Sequence, residues 1–371
     1  MKMPTVRIRE EIQRDGAISF ARFMELALYC PETGYYESQK DNVGRAGDFI
    51  TSVSVGSLFG ELLAFQFAEW LETSKMDSPV VGIIEAGAHD GKLAADILTW
   101  LQLHRPGLLD QVQYCILEPS IRRQAWQKKT LQKFDRHTRW FTGFKDLTAQ
   151  NPKFSGIIFG NELLDAFSVH RFGWNAREKN WFEWGVTVES GKLVWTHFPA
   201  TSLLSSLYLP PALLDVLPDH YTIETSPAAE HWWRTAAETL THGKLLAIDY
   251  GFTDTEMFSP ARTRGTLRAY HHHHVSDDLL ASPGEQDLTA HVNFSAVQRT
   301  GESAGLETET FCTQPQFLAR ILERAIKQSL FGDWTSKQVR QFQTLTHPEH
   351  LGRAFNVLLQ SRTGHFSVDK T

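Results

Sequence analysis

Short apolar runs recur through the middle of the chain, each closed by a polar residue or an acid and each followed by a stretch with helical spacing. Val80 to Glu85, Val112 to Glu118, Trp140-Phe141, Gly156 to Phe159 and Lys244 to Asp249 are such runs. Apolar strands alternating with helices predict a parallel sheet covered on both faces. Ahead of the sheet, Val6 to Leu71 reads as helices with an irregular middle. Ser19 is placed to cap a helix carrying Phe20, Phe23, Met24 and Ala27, Pro31-Glu32-Thr33-Gly34 stops it, Gly44 to Thr51 is a glycine-rich loop, and Ser57 to Leu71 resumes a helix. Between the fourth and fifth runs, His170 to Pro199 carries Trp174, Trp181, Phe182, Trp184 and Trp195 around Asn175 and the Ser190-Gly191 turn. That pattern predicts an inserted antiparallel meander, expected to fold over a cofactor cleft. Gln314 to Leu330 and Ser336 to Leu345 are helical and form a C-terminal cover.

The first run passes through Glu85-Ala86-Gly87-Ala88-His89-Asp90-Gly91 into the helical pattern of Lys92 to Leu98. A strand, a glycine turn and a helix N-terminus make the opening βα unit of a nucleotide-binding sheet. The second run ends about thirty residues later in Glu118, where such sheets hold the hydroxyls of a ribose with an acid. In the dinucleotide fingerprint G-x-G-x-x-G the middle glycine lets backbone approach a pyrophosphate. Here that position is His89. A cofactor without a diphosphate fits better, and S-adenosyl-L-methionine is the common one, since it asks for one acid at the ribose, apolar walls at adenine and acceptors for its ammonium. Glu85 to Gly91 looks like the E-x-G-x-x-x-G of class I methyltransferases. A nicotinamide-dependent oxidoreductase would call for a glycine at 89 and an acid some ten residues before Glu118, and neither is present.

Composition narrows the field further. With 371 residues, 42% apolar and 22% charged, the chain reads as globular and longer than one minimal domain. Its net charge of −6, from 37 basic and 43 acidic residues without long runs of one sign, gives no reason to expect nucleic acid or an anionic membrane as partner. Cys30, Cys115 and Cys312 are far apart, which suits a reducing compartment and offers no metal spacing. No apolar segment approaches the ~18 residues that would suggest a membrane span. Met1 to Arg14 mixes acids and bases without an apolar core, so neither a secretory signal nor a transit peptide is expected, and a cytoplasmic location is.

The fourth run leads into Asn161-Glu162-Leu163-Leu164-Asp165, at the sheet edge where ligands of open parallel sheets bind. Methyl transfer is an in-line displacement that needs no metal. The protein has to orient the nucleophile and accept its proton. A carboxylate pair matches the fork of a guanidinium, and Glu162 and Asp165, three apart, are expected to share the face of one helical turn. The bland alternative makes Glu162 a helix cap and Asp165 a solvated acid. In the run His271 to His274, successive side chains of an extended segment alternate faces, so one ion would reach at most two, and no metal site is expected. Asp249-Tyr250-Gly251 is placed to wall the cleft, and Tyr270 serves equally as core or contact.

Phe20 to Tyr29 with Pro31-Glu32-Thr33-Gly34-Tyr35-Tyr36 resembles the opening of the MidA family, methyltransferases related to mitochondrial respiratory complex I assembly factor seven. The resemblance continues through Gly47-Asp48-Phe49-Ile50-Thr51-Ser52, Leu58-Phe59-Gly60-Glu61, Asn161 to Ala166 with Val169-His170-Arg171-Phe172, Gly265 to Tyr270 and Asp287 to Phe294, from about residue 8 to about residue 360. It implies an α/β class I methyltransferase fold, Rossmann-like, with a mostly parallel seven-stranded sheet. The expected organisation is an N-terminal helical segment over 1–75, a catalytic domain over 76–313 with its insertion at about 168–220, and the helical cover over 314–371. Carried over by position, Glu85, Gly87 and Gly91 would hold the methionine end and Glu118 the ribose, with Ala88, His89 and Ser120 also at the cofactor. Thr51, Ser52 and Asn161 would lie beside donor or acceptor, with Glu162 and Asp165 catalytic. The implied activity is S-adenosyl-L-methionine-dependent methylation of a protein side chain, an arginine guanidinium first, on a substrate such as a respiratory-chain subunit, with S-adenosyl-L-homocysteine as product. Methylation of a small molecule, or an assembly factor that binds cofactor with little turnover, are the alternatives, and an oligomer is compatible with either. The chain departs from the family at Val53-Ser54, where Pro-Glu is usual, at Ala88-His89 in a Gly-Pro-Gly-like loop, and in the histidines that replace basic residues after Tyr270.

Overall fold

The computed structural model describes residues 3–31, 33–37, 51–73, 81–206, 209, 214–260, 262–271, 274–353 and 355–363. The chain forms two compact units. One, the sheet unit, comprises Thr51–Leu163, Trp232–Asp249 and Gln298–Thr371; the other, the meander unit, comprises Met1–Ile50, Leu164–His231 and Tyr250–Val297.

In the sheet unit the apolar runs are parallel strands. Val81–Ala86 pairs with Val112–Leu117 on one side and Phe154–Asn161 on the other. Thr138–Phe141 extends the sheet beyond Val112–Leu117, and Leu240–Phe252 lies against Phe154–Asn161, both in parallel. Ile83, Ile84, Ile157, Ile158, Phe159, Leu245, Leu246 and Ile248 are fully buried, the continuous apolar filling that a sheet covered on two faces demands. An antiparallel pair, Glu307–Thr313 with Phe355–Arg362, follows Leu240–Phe252 in strand order and brings this sheet to seven strands in the sheet unit, as expected for the fold class. Neither of these two strands shows as an apolar run, because Glu307, Thr308, Glu309 and Thr310 alternate at an edge and Asn356 and Gln360 interrupt the other. The stretch after Gln314, read as a helical cover, therefore supplies helices Gln314–Lys327 and Ser336–Thr346 and then returns a strand to the sheet.

Helix Leu58–Thr73 is apolar almost all round, and its Leu58, Phe59, Leu62, Leu63, Phe65 and Phe67 are fully buried. A helix of that kind belongs inside a fold rather than on it. It packs against Lys92–His104 and Gln314–Lys327, and each fully buried phenylalanine contributes on the order of 1.5–3 kcal/mol.

The meander unit is built on an antiparallel sheet. His170–Asn175, Asn180–Glu189 and Lys192–Pro199 form the expected meander, joined by Thr222–Thr225 and the short Ile18–Ser19 into five strands of their own. Helix Phe20–Tyr29 starts where predicted, with Ser19 Oγ accepting the amide of Arg22 at 3.2 Å. Its Phe20, Phe23, Met24 and Ala27 are buried in a cluster with Val169, Val186, Leu267 and Leu288. The N-terminal stretch is thus shared out: helices Pro4–Asp15 and Phe20–Tyr29 fold with the meander, whereas Ser52–Val55 and Leu58–Thr73 fold with the parallel sheet. Among the described residues no helix is long and apolar enough to cross a membrane.

Candidate functional site

The strand Val81–Ala86 hands over to a loop whose backbone is left-handed at Gly87 (φ 77°), His89 (φ 46°) and Gly91 (φ 84°). Gly91 donates its amide to the Ala88 carbonyl at 2.7 Å and opens helix Lys92–His104. A Cβ on Gly91 would stand 3.3 Å from the Cα of Gln127, so the turn and the helix Ile121–Thr130 nearly touch. The conformation at 89 accounts for a glycine being usual there, and His89 adopts it at a strain of about 1–2 kcal/mol. Asp90 replaces the missing cap by accepting the Lys92 amide at 3.0 Å. Glu85 is buried and accepts the Tyr114 hydroxyl at 2.7 Å. Burial, with the charge of Asp90 nearby, pushes its carboxyl up to about 8 against the pull of the Tyr114 bond.

Glu118 follows the second strand, and both its oxygens are held: the Ser120 amide donates to Oε1 and the Gln127 side chain to Oε2, each at 3.0 Å. Ser120 also caps helix Ile121–Thr130 through Oγ. Gln127 is fully buried and makes two further bonds, donating to the His89 carbonyl at 3.0 Å and accepting Trp140 Nε1 at 3.0 Å. One side-chain amide therefore ties the glycine loop, the strand-end acid and the third strand together. The sequence reading missed Gln127. The available signal was a glutamine nine residues past the acid in a helix otherwise short of apolar residues.

The third part of the site lies at the end of Phe154–Asn161. Asn161 is buried, and Glu162 follows in a left-handed conformation (φ 51°) with its amide on the Ile248 carbonyl. Glu162 Oε1 accepts the Ser52 amide at 3.1 Å and Asn161 Nδ2 at 3.2 Å. Two acceptors are shut off from solvent and have no hydrogen-bond partner among the described residues, Asn161 Oδ1 and Glu162 Oε2. Burial and the neighbouring carboxylate of fully buried Asp249, which itself accepts the Leu163 amide at 3.0 Å, push Glu162 up to about 8. Ser52 is fixed in turn by Gln314, whose Oε1 takes the Ser52 hydroxyl at 3.1 Å. Thr51 and Ser54 form a reciprocal capping box over Ser52–Val55, so the departure at Val53-Ser54 keeps a capping side chain where a glutamate is usual.

The structure gathers Glu85, Gly87, Ala88, His89, Gly91, Glu118, Ser120, Asn161, Thr51, Ser52 and Glu162 into the sheet unit. Asp165 belongs to the meander unit, where its carbonyl accepts the Ala290 amide at 3.0 Å. The expected helical turn carrying Glu162 and Asp165 on one face does not form. The turn is a 3₁₀ segment, Leu164–Ala166, and the positive φ of Glu162 keeps that residue out of it. The block Gly47-Asp48-Phe49-Ile50 and the side chains of His271, His272 and His273 lie outside what is described. No metal-binding group of three or more His, Cys, Asp or Glu occurs among the described residues.

A left-handed glycine loop with a close-packed floor and an anchored strand-end acid suit an adenosine cofactor. Comparisons with known proteins bear on that cofactor. Residues 62–312 match a family described as "Putative S-adenosyl-L-methionine-dependent methyltransferase". The mitochondrial protein arginine methyltransferase NDUFAF7 of Mus musculus is 28% identical over 93% of this chain and 81% of its own length, and that of Homo sapiens 28% over 93% and 80%. A crystal structure of a COG1565 superfamily member from Burkholderia thailandensis bound to S-adenosyl-homocysteine superposes with a TM-score of 0.83 at 30% identity, covering 97% of this chain and 92% of the other.

Proposed function

The chain belongs to the S-adenosyl-L-methionine-dependent methyltransferase family, and from that premise we propose that it methylates a side chain of a protein, with an arginine guanidinium as the acceptor. The observation that carries the reading is the pair Asn161 Oδ1 and Glu162 Oε2, two buried acceptors without donors among the described residues. Buried acceptors are ordinarily satisfied, so such a pair marks a place kept for a ligand's N–H groups. A guanidinium brings five donors in a planar fork and leaves none of its own acceptors unmet, because it has none. The relatives named protein arginine methyltransferases support the same choice.

Bound S-adenosyl-L-methionine supplies an electrophilic methyl group on a sulfonium. The chain's residues do the remaining work. Glu118, braced by Ser120 and Gln127, offers an acid for ribose hydroxyls, and the Gly87–Gly91 turn leaves room for the methionine end. Glu162 binds and aligns the acceptor nitrogen: its carboxyl, raised to about 8 with no cation beside it, ionises against the charge of the guanidinium, and the carboxylate then takes the proton that nitrogen sheds as the N–CH₃ bond forms. Asp249 keeps that basicity high, and Ser52 and Asn161 hold Oε1 so that Oε2 is the oxygen presented. The left-handed backbone at Glu162 stores strain at the one residue whose placement matters most.

Glu162→Gln tests the reading, since the amide preserves the Oε1 acceptor and removes the base. Transfer of labelled methyl to protein in an extract is expected to fall about 100-fold or more, with S-adenosyl-homocysteine affinity by calorimetry within about twofold of the parent. A variant that methylates as fast as the parent ends the guanidinium proposal.

A further inference from the structure

A pocket of about 220 Å³ in the meander unit is used by none of the chemistry above. Its walls come from segments far apart in sequence: Arg171, Trp184 and Trp195 from the meander, and Arg264 and Arg268 from the segment that runs along Thr222–Thr225. It is a built site. Arg171 is buried, with Nε on Glu224 at 3.2 Å and Nη2 on the Arg264 carbonyl at 3.1 Å, and its guanidinium lies 5.1 Å from the centre of the Trp195 ring. Glu224 is held from the other side by the amide and hydroxyl of Thr266. Gly265 passes so near that carboxylate that a Cβ would run into it, which fixes the path of the chain carrying Arg264.

The side-chain groups left unused decide what the pocket takes. Trp184 has donated its indole N–H to Thr222, and Thr222 has donated to the His220 carbonyl, so the indole offers its ring and the threonine nothing further to give. Arg264 is exposed, and among the described residues its side chain makes no hydrogen bond or ion pair. Arg268 spends one N–H on the Leu267 carbonyl and keeps the rest, and Ser276, which accepts the Asp278 amide, still has its O–H to give. Every unused polar side chain here is a donor, with the exception of Asp277. Planar guanidinium donors flanked by indole faces select a planar acceptor, and a carboxylate is the one that matches their fork. Asp277 disfavours a dianion such as phosphate and can accept a backbone N–H beside the carboxylate.

We propose that this pocket docks an acidic segment of the protein substrate, a glutamate or aspartate side chain entering between the arginines and the two tryptophans. It rests on the reading above only in assigning the segment to the methyl acceptor, and the preference for carboxylates is measurable without methyl transfer. The probe is a fluorescein-labelled octapeptide of alternating glutamate and glycine, with its glutamine counterpart, titrated by anisotropy against the full chain and against R264E/R268E. The glutamate peptide is expected to bind at least tenfold tighter than the glutamine one, to weaken as salt rises past about 0.15 M, and to lose that preference in the variant. The variant's affinity for S-adenosyl-homocysteine, which checks its fold, is expected to stay within twofold, and its KM for the protein substrate to rise with kcat unchanged. Equal binding of the two peptides, an unaffected variant, or full displacement of the peptide by millimolar inorganic phosphate overturns the proposal. Selective peptide binding in a chain that methylates no protein keeps the carboxylate site and sinks the proposed function instead.

Discussion

Glu162, just past strand Phe154–Asn161 in the sheet unit, and Glu224, within strand Thr222–Thr225 of the meander unit, are glutamates with carboxylates withdrawn from water, and they are treated in opposite ways. Glu224 has a cation, Arg171, and three hydrogen bonds shared over its two oxygens, from Arg171 Nε, the Thr266 amide and the Thr266 hydroxyl. Among the described residues Glu162 has two bonds, both on Oε1, an orphaned Oε2, and a second acid, Asp249, where a cation would be expected. A completed network specifies structure, and an incomplete one reserves a place. Glu118, held at both oxygens, is presented in one orientation, whereas Glu85 hydrogen-bonds a tyrosine and burial pushes its carboxyl up to about 8.

The contrast is sharpest in stability. Arg171→Leu strands the Glu224 carboxylate inside the meander unit and is expected to cost about 3–5 kcal/mol in denaturant unfolding. Glu162→Gln, expected to lose activity, is expected to cost under about 1 kcal/mol because it retains the acceptor that the described residues use. Comparable losses in the two variants would erase the distinction between a structural and a reserved acid.

Gln127→Leu probes the acid held at both oxygens. Leaving Glu118 Oε2 and the His89 carbonyl without their donor is expected to weaken S-adenosyl-homocysteine about tenfold, or ~1.4 kcal/mol. A lowered melting temperature with unchanged affinity would make Gln127 a brace of the fold alone.

The remaining test is in pH. Glu162 and Glu85 have folded values raised from 4.5 to about 8, so the folded state holds protons the unfolded state has released. Their contribution is complete below about pH 4.5 and is lost as pH rises through about 8, at a slope of up to about 1.4 kcal/mol per pH unit for each. Glu162→Gln and Glu85→Gln are each expected to flatten the fall in stability over that window by one proton's share, and a parent whose stability does not fall there would contradict both shifts.

Much of this was legible in sequence because it depends on neighbours along the chain. The Gly87–Gly91 turn, the acid ending Val112–Leu117, the Ser19 cap and the meander turns are set by local backbone preferences and by apolar runs of strand length. Edge strands Glu307–Thr313 and Phe355–Arg362 escaped, since a strand wet on one face or interrupted by buried amides carries no apolar run. Asp165 was paired with Glu162 on the premise of a helical turn, and that premise failed at a single positive φ. Ser54, a departure without meaning in sequence, became a capping residue once its amide and hydroxyl partners were seen.

Sequence by itself determined the succession of parallel strands and their helices, the glycine turn and the identity of the acids, since periodicity and φ preference act over a few residues. Only the tertiary structure decided which acids are satisfied. Glu118 owes its orientation to Gln127, Glu162 its basicity to burial and then to Asp249 and its free oxygen to Ser52, and Glu224 its quiet burial to Arg171, partners between nine and 110 residues away. Hydrogen bonding and desolvation depend on distance in space, and the chain sets that distance only by folding.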